Sequence, residues 1–148
     1  MATKKRHWLW NIVALVTTIV CLLALLAHYK NWTQVKPDSF RIVSGFYFKE
    51  LKYSELDSVV MVERIPPMIR LNGFSALEKE KGIFQEFKDS LTEKKVNVYV
   101  DNLALHKIKI VYQDSSKLYF NYKDSLETEK IYAFLLNKLD ANTKSLSN

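Results

Sequence analysis

Residues 8–27 read WLWNIVALVTTIVCLLALLA and decide the organisation of the chain. These 20 residues carry no charge, and their polar members are Asn11, Thr17 and Thr18. A helix rises about 1.5 Å per residue, so this stretch spans about 30 Å, the hydrocarbon thickness of a bilayer. A helix satisfies its own backbone groups and can therefore lie in lipid. We expect residues 8–27 to form a transmembrane helix, with interfacial aromatic residues Trp8 and Trp10 at one end and Tyr29 and Trp32 at the other.

A short basic leader before an apolar core also describes a cleaved signal peptide. The run here is longer than the usual core of about 7–15 residues, and Leu25 occupies the −3 position of the cleavage site after Ala27, where a small residue is preferred. Both features favour a retained anchor. Lys4, Lys5 and Arg6 precede the run and outnumber the cations just after it, so the positive-inside rule predicts a cytoplasmic N-terminus and an extracytoplasmic C-terminal domain.

The composition excludes several classes of function. The net charge is +6, but the 19 basic and 16 acidic residues that follow the leader are interspersed, so nucleic-acid binding is not expected. The only cysteine, Cys21, lies in the apolar run, which leaves the rest of the chain without a disulfide or a cysteine metal site. His106 has no histidine near it in the sequence, and no phosphate-binding glycine loop occurs. We therefore predict no catalytic residues, no metal and no cofactor. The glycosylation pattern at Asn31 is interpreted as a chance match beside the membrane.

The remaining chain divides into a linker (28–39), a folded domain (40–139) and a polar tail (140–148), after the basic leader (1–7). Alternating apolar residues predict short strands through most of the domain, including VNVYV at 96–100, KIKIVY at 107–112 and KLYFNY at 117–122. We predict turns at Ser44-Gly45, at Asn72-Gly73, across 89–95 and across 113–116. Residues 77–81 fit either a helical turn or a charged loop.

The period changes from 2 to 3.6 residues after residue 123. Asp124 followed by Glu127 is a variant of the capping box, and an apolar stripe then predicts an amphipathic helix from 125 to 139. The stripe consists of Ile131, Tyr132, Leu135, Leu136 and Leu139. About seven short strands followed by one such helix favour a small antiparallel barrel that the helix closes at one end.

This order of elements resembles the bacterial pleckstrin-homology-like (PH-like) domains, in particular short proteins with an N-terminal membrane helix and one such domain. The matching residues are apolar positions and glycines spread over residues 40–139: RIVSGFY at 41–47, YSELDSV at 53–59, PMIRLNG at 67–73, GIF at 82–84, VNVYV at 96–100, YFNY at 119–122, and then Glu127, Thr128, Tyr132 and Leu135. The resemblance implies an N-terminal transmembrane helix and a mainly-β PH-like barrel of about seven antiparallel strands, capped by a C-terminal helix.

The resemblance implies a binding and assembly module, not an enzyme. We expect an unidentified protein partner at an open sheet edge or at the loops opposite the capping helix. The alternative is a lipid headgroup or small ligand bound by Lys49, Lys52 and Arg70, although Glu50 and Glu55 interrupt the basic residues. Tyr47, Tyr99 and Tyr119 are candidates for an exposed partner-binding face, but ordinary filling of strands by tyrosine is the favoured interpretation.

Overall fold

The structure is a computed structural model, and it describes residues 3–87, 95–113 and 115–146. Its first element, α1, spans Thr3–Tyr29 and contains the whole predicted transmembrane stretch. The segment His7–Tyr29 has a mean hydropathy of 2.5, and its apolar window has no part buried against the rest of the chain. The helix is thus long and apolar enough to cross a membrane, as the sequence predicts.

A three-stranded antiparallel sheet follows, made of β1 (Trp32–Val35), β2 (Ser39–Ser44) and β3 (Tyr47–Lys52), in that order. The tight turn between β2 and β3 contains Gly45, as predicted. The assignment of residues 28–39 entirely to a linker is wrong, because β1 lies within it and pairs Trp32 with Val43. Aromatic and β-branched residues in β1 suit a strand, but four residues are too few to show a reliable period.

The second sheet has six strands. They are β4 (Leu56–Val62), β5 (Met68–Ala76), β6 (Lys79–Glu86), β7 (Lys95–Val100), β8 (Lys107–Tyr112) and β9 (Ser116–Phe120), arranged in the order β4-β8-β9-β7-β6-β5. β7 and β9 are parallel, and the other neighbours are antiparallel. The described residues therefore contain nine strands in two sheets that do not close, where the sequence predicts about seven antiparallel ones.

The hairpin of β5 and β6 corrects two predictions. The predicted turn at Asn72-Gly73 is wrong: Gly73 lies inside β5, directly opposite Gly82 of β6. A Cβ on Gly73 would come within 2.2 Å of the Lys81 carbonyl oxygen, so the glycines serve close backbone approach within the ladder. The chain instead turns at Leu77-Glu78, and the charged residues that follow belong to β6, not to a helical turn or loop.

The C-terminal helix, α2, spans Ser125–Leu146 and confirms the predicted amphipathic helix. Asp124 caps its N-terminus, since its carboxylate accepts a hydrogen bond from the Leu126 N–H at 3.1 Å. The helix continues seven residues beyond 139, into the stretch predicted as a polar tail. It packs against β4, β8 and a short 3-10 turn at Tyr53–Glu55.

Two apolar clusters are found among the described residues of the domain. The larger lies between the two sheets and α2, and it contains Phe40, Ile108 and Leu135, all with no exposed surface. The whole predicted stripe of α2 packs into this cluster. The smaller cluster covers the opposite face of the second sheet, where Val96, Val98 and Val100 of β7 contact Tyr119. β7 therefore buries both of its faces. Of the predicted turn at 113–116, Gln113 and Ser115 lie between β8 and β9, Ser116 begins β9, and residue 114 lies outside the described residues, as does most of the predicted turn at 89–95.

Candidate functional site

The end of α1 is held between two β-hairpins. The His28 ring packs edge-on against Phe46, with ring centroids 4.8 Å apart, and against Phe74, at 5.1 Å. Phe46 belongs to the turn between β2 and β3, and Phe74 belongs to β5. Gly45 lies so close that an added Cβ would be 2.1 Å from the His28 ring, and its φ of +63° also favours glycine. The β2–β3 turn is thus shaped around the last turn of the helix.

Lysine side chains bind the same end of α1. Lys79 Nζ donates hydrogen bonds to the carbonyl oxygens of His28, at 3.0 Å, and of Tyr29. These carbonyls have no partner within the helix, and a cation at a helix C-terminus also stabilises the helix dipole. Lys123 Nζ lies 4.8 Å from the centre of the Tyr29 ring and 3.3 Å from its hydroxyl oxygen. Lys79 therefore satisfies the last carbonyl groups of α1, and Lys123 is a second cation that contacts the Tyr29 side chain.

Asn31, two residues beyond α1, is completely buried in a polar network. Its side-chain amide donates hydrogen bonds to the carbonyl oxygens of Tyr99, at 2.5 Å, and Asn121, at 2.7 Å. Its side-chain oxygen accepts one from Lys81 Nζ at 3.0 Å, and its backbone N–H donates to Asp101 Oδ2 at 2.5 Å. Both amide hydrogens and the side-chain oxygen of Asn31 form hydrogen bonds inside the domain. The side chain is therefore not accessible for glycosylation once the domain has folded.

The network contains a buried ion pair. Lys81 Nζ lies 2.7 Å from Asp101 Oδ1, and both side chains have no exposed surface. Burial lowers the pKa of Lys81, while the hydrogen bond and charge of Asp101 oppose that shift. Such a pair is costly to desolvate, so either partner left alone is strongly unfavourable. Asn121 supports the pair from below by accepting a hydrogen bond from the Asp101 backbone N–H at 2.9 Å.

We refer to these contacts together as the junction, defined by His28, Asn31, Gly45, Lys79, Lys81, Asp101 and Asn121. The junction fixes the end of an apolar helix relative to both sheets through hydrogen bonds and charges. Its ion pair, Lys81 with Asp101, is completely buried, and its contacts are those of a structural attachment. Sequence reasoning missed it. Local patterns single out two of its residues, Asn31 as part of a glycosylation motif and Gly45 as part of a turn. The hydrogen-bond partners of Asn31 lie about 50 to 90 residues away in the chain.

The residues predicted to contact a headgroup or partner do not form one pocket. Lys49 Nζ lies 4.9 Å from the centre of the Tyr112 ring, and Lys52 Nζ lies 3.9 Å from a Glu55 carboxylate oxygen. Arg70 belongs to β5 in the other sheet and donates a hydrogen bond to Ser75 Oγ at 3.3 Å. Each therefore has its own partner, and the headgroup site on these three residues stays a prediction.

The predicted interfacial aromatic residues are exposed, as a lipid interface requires. The exposed fractions are 65% for Trp8 and Trp10, 57% for Tyr29 and 55% for Trp32. Lys30 Nζ lies 4.3 Å from the centre of the Trp32 ring, so an amphipathic aromatic residue and a cation meet just beyond α1.

The tyrosine face does not exist as an exposed surface. Tyr99 and Tyr119 are each 2% exposed and belong to different cores, and the Tyr47 ring stacks on Tyr99 with centroids 6.2 Å apart. Burial raises the pKa of Tyr119 to about 12. The favoured interpretation, ordinary filling of strands, is therefore confirmed for these three residues.

Strand β5 forms one edge of the second sheet. It is the longest strand of the described residues, and Ile69 and Leu71 on it are 48% and 49% exposed. Between residues 68 and 76 the only charge is that of Arg70, and there is no proline. At the other edge of this sheet, β4 is packed against α2. An exposed edge with apolar side chains and few charges is a template for strand addition.

A search of the described residues finds no group of three or more histidine, cysteine, aspartate or glutamate side chains placed to hold a metal ion. Comparisons of the chain with protein-family models, with curated proteins and with solved structures gave no match.

Proposed function

We propose that this chain is a single-pass membrane protein that presents a PH-like binding domain to a protein partner at the membrane, without catalysis. Helix α1 supports the anchor, because its apolar side chains are exposed on every side and need lipid around them. In the proposed orientation the N-terminus is cytoplasmic and the domain extracytoplasmic, as the leader cations favour.

The PH-like assignment is supported by the C-terminal helix, whose apolar stripe packs into the main core beside two mostly antiparallel sheets. The parallel pair of β7 and β9 and the additional strand β1 are departures from the barrel that the resemblance implies. We place the binding surface on a sheet edge, and this choice does not depend on a closed barrel.

Edge strand β5 is the observation that carries the interaction proposal. A partner strand added to β5 would pair its free backbone groups and cover Ile69 and Leu71. Soluble domains usually protect such an edge with lysines, proline or a covering helix. Within the described residues, α2 packs against β4, whereas the apolar side chains of β5 are half exposed. A protein segment in extended conformation is the occupant that fits this edge.

Site-specific photo-crosslinking in the native membrane tests the proposal. A photoreactive amino acid at position 69 is expected to give a discrete adduct of higher mass with one partner. The same amino acid at position 60 is the matched control, because Val60 is 47% exposed on the opposite edge, where α2 packs. No adduct at 69, or identical adducts at 69 and 60, would remove β5 as the binding edge.

The orientation has its own test. A reporter that is active only outside the cytoplasm, fused after Asn148, is expected to be active on a chain of full size. An inactive reporter would place the domain in the cytoplasm, and an active reporter on a shortened chain would show cleavage after Ala27.

A further inference from the structure

Two exposed apolar side chains stand on the turns closest to the end of α1. Phe46, on the β2–β3 turn, is 76% exposed although its ring touches His28. Leu77, on the β5–β6 turn, is completely exposed, and its strand neighbour Lys79 binds the last carbonyls of α1. The His28 ring thus connects the end of α1 to the β2–β3 turn, and the Lys79 side chain connects it to the β5–β6 turn.

The depth of these turns follows from the length of the apolar run. Residues 8–27 match the hydrocarbon thickness of about 30 Å, so His28 begins the headgroup layer, which is about 5–7 Å thick on each side. The Phe46 ring lies 4.8 Å from the His28 ring. A helix that crosses the bilayer along the membrane normal would therefore bring Phe46 into the headgroup layer.

The backbone at Leu77 gives an independent argument. Leu77 has a φ of +56°, a left-handed conformation that glycine or asparagine adopts at lower cost than leucine. A leucine that is both conformationally unfavourable and fully exposed gains nothing from the folded domain itself. Contact with lipid would supply the missing stabilisation, because it removes the apolar side chain from water.

The charges on this end of the domain suit a bilayer surface. Lys30 and Lys123 lie beside Trp32 and Tyr29, at the end of α1 where lipid phosphates would be. Glu78, next to Leu77, is the exposed acid on the same turn. Aromatic and aliphatic tips flanked by lysines are typical of surfaces that lie in the interfacial layer.

We infer that Phe46 and Leu77 enter the headgroup layer of the bilayer that holds α1, so that two hairpin tips and the helix fix the domain on the membrane at three points. This inference rests on the proposed membrane anchor. The occupant of the surface is lipid, because the tips are continuous with the end of a helix whose apolar length matches the bilayer. A protein bound at the tips is treated as a competing outcome of the test.

The test uses the full chain with Cys21→Ala, reconstituted in vesicles of phosphatidylcholine and phosphatidylglycerol. Phe46→Cys, Leu77→Cys or Phe87→Cys, one in each chain, is then labelled with the environment-sensitive fluorophore NBD. Phe87 is the matched control, because it is 62% exposed but follows β6 at the end opposite the Leu77 turn. We expect lipids with a nitroxide on the headgroup to quench most of the emission at 46 and 77, with a blue shift, and to leave 87 unchanged.

The outcomes separate this inference from the anchor. Equal, weak quenching at all three positions, in a chain that resists alkaline extraction, would overturn the inference and leave the anchor standing. A blue shift at 46 or 77 without quenching by lipid would show a protein contact and would also overturn it. A chain that alkaline extraction removes from the vesicles would overturn the anchor and the inference together. Circular dichroism of each labelled chain establishes that the domain is folded.

Discussion

The two helices of this protein meet the β-domain in opposite ways. Helix α2 buries one apolar stripe along the core and exposes its charged face. Helix α1 buries none of its apolar window, and the domain holds it at its last turn and at the residues that follow. The distribution of apolar residues on each helix explains this difference. An apolar stripe can be buried against protein, whereas a helix that is apolar on every side requires lipid around it.

The attachments differ in chemistry for the same reason. α2 is attached by non-directional apolar packing, which tolerates small shifts. The junction attaches α1 through hydrogen bonds and a buried ion pair, which require particular angles and distances. We interpret the junction as an orienting device, since buried ion pairs add little net stability but make alternative arrangements costly.

The largest expected effect comes from breaking the junction. Lys81→Met leaves the Asp101 carboxylate buried without its cation, and we expect the free energy of unfolding to fall by about 3–5 kcal/mol. Urea unfolding of the detergent-solubilised chain, followed by near-UV circular dichroism, measures this. The double variant Lys81→Met/Asp101→Asn removes both charges and should recover part of the loss. A double variant as unstable as the sum of the two single variants would show that the pair is not coupled.

The next effect tests the apolar attachment. Leu135→Ala removes a side chain of α2 that is fully buried in the main core, and we expect a loss of about 2–5 kcal/mol. Leu126→Ala on the same helix is the control, because Leu126 is 61% exposed and should change the stability by less than about 0.5 kcal/mol. Equal losses would contradict the stripe. The same unfolding assay applies to both.

A smaller effect is expected where the β2–β3 turn meets α1. Gly45→Ala places a Cβ 2.1 Å from the His28 ring and in a left-handed conformation, which costs about 1–2 kcal/mol before the clash is counted. Adding His28→Ala should relieve the clash but not the backbone cost. A double-mutant cycle measured by urea unfolding separates the two contributions. Strict additivity would mean that the turn and the helix end do not touch.

The smallest effect concerns acid. Hydrogen bonds from Lys36, Arg41 and Ser39 lower the pKa of Glu50 to about 2. Since the folded-state pKa lies below the ordinary value near 4.5, the stabilisation is present above that value and is lost as the pH falls towards about 2. Wild type and Glu50→Gln should therefore differ modestly in unfolding free energy at neutral pH and converge in acid. A difference in unfolding free energy that does not change with pH would show that the substitution acts through packing and not through the charge of Glu50.

The sequence predicted the elements whose period is regular and long enough to read. Helices α1 and α2 and strands β7, β8 and β9 appear where alternation or helical spacing is clear. The prediction of a turn at Asn72-Gly73 was wrong because this dipeptide occurs both in tight turns and where two strands approach closely. Only the pairing of Gly73 with Gly82 distinguishes the two cases. The parallel pairing of β7 with β9 is a property of topology, and no local pattern encodes it.

The candidate site was less accessible to prediction than the fold. The aromatic residues predicted for the membrane interface follow from hydropathy, and the structure shows them exposed. Lys81 lies in a run of alternating charges, where a solvated side chain is the ordinary expectation, yet it is fully buried. Lys81 lies near the start of β6, its partner Asp101 directly follows β7, and the supporting Asn121 directly follows β9, so three different strand ends bring the residues together. Long-range pairing therefore had to be known before the junction could be recognised.

The position of β9 has a consequence for how the protein is made. β9 ends at Phe120 and lies between β8 and β7, so the second sheet has a gap at its centre until this late segment of the chain leaves the ribosome. Helix α1 precedes β9 by about 90 residues in the chain, so it is synthesised well before the second sheet can be completed. Asn31 must also wait for Asp101 and Asn121. In the proposed membrane protein, insertion of α1 would therefore precede folding of the domain, and the domain would fold only after the chain is tethered to the bilayer.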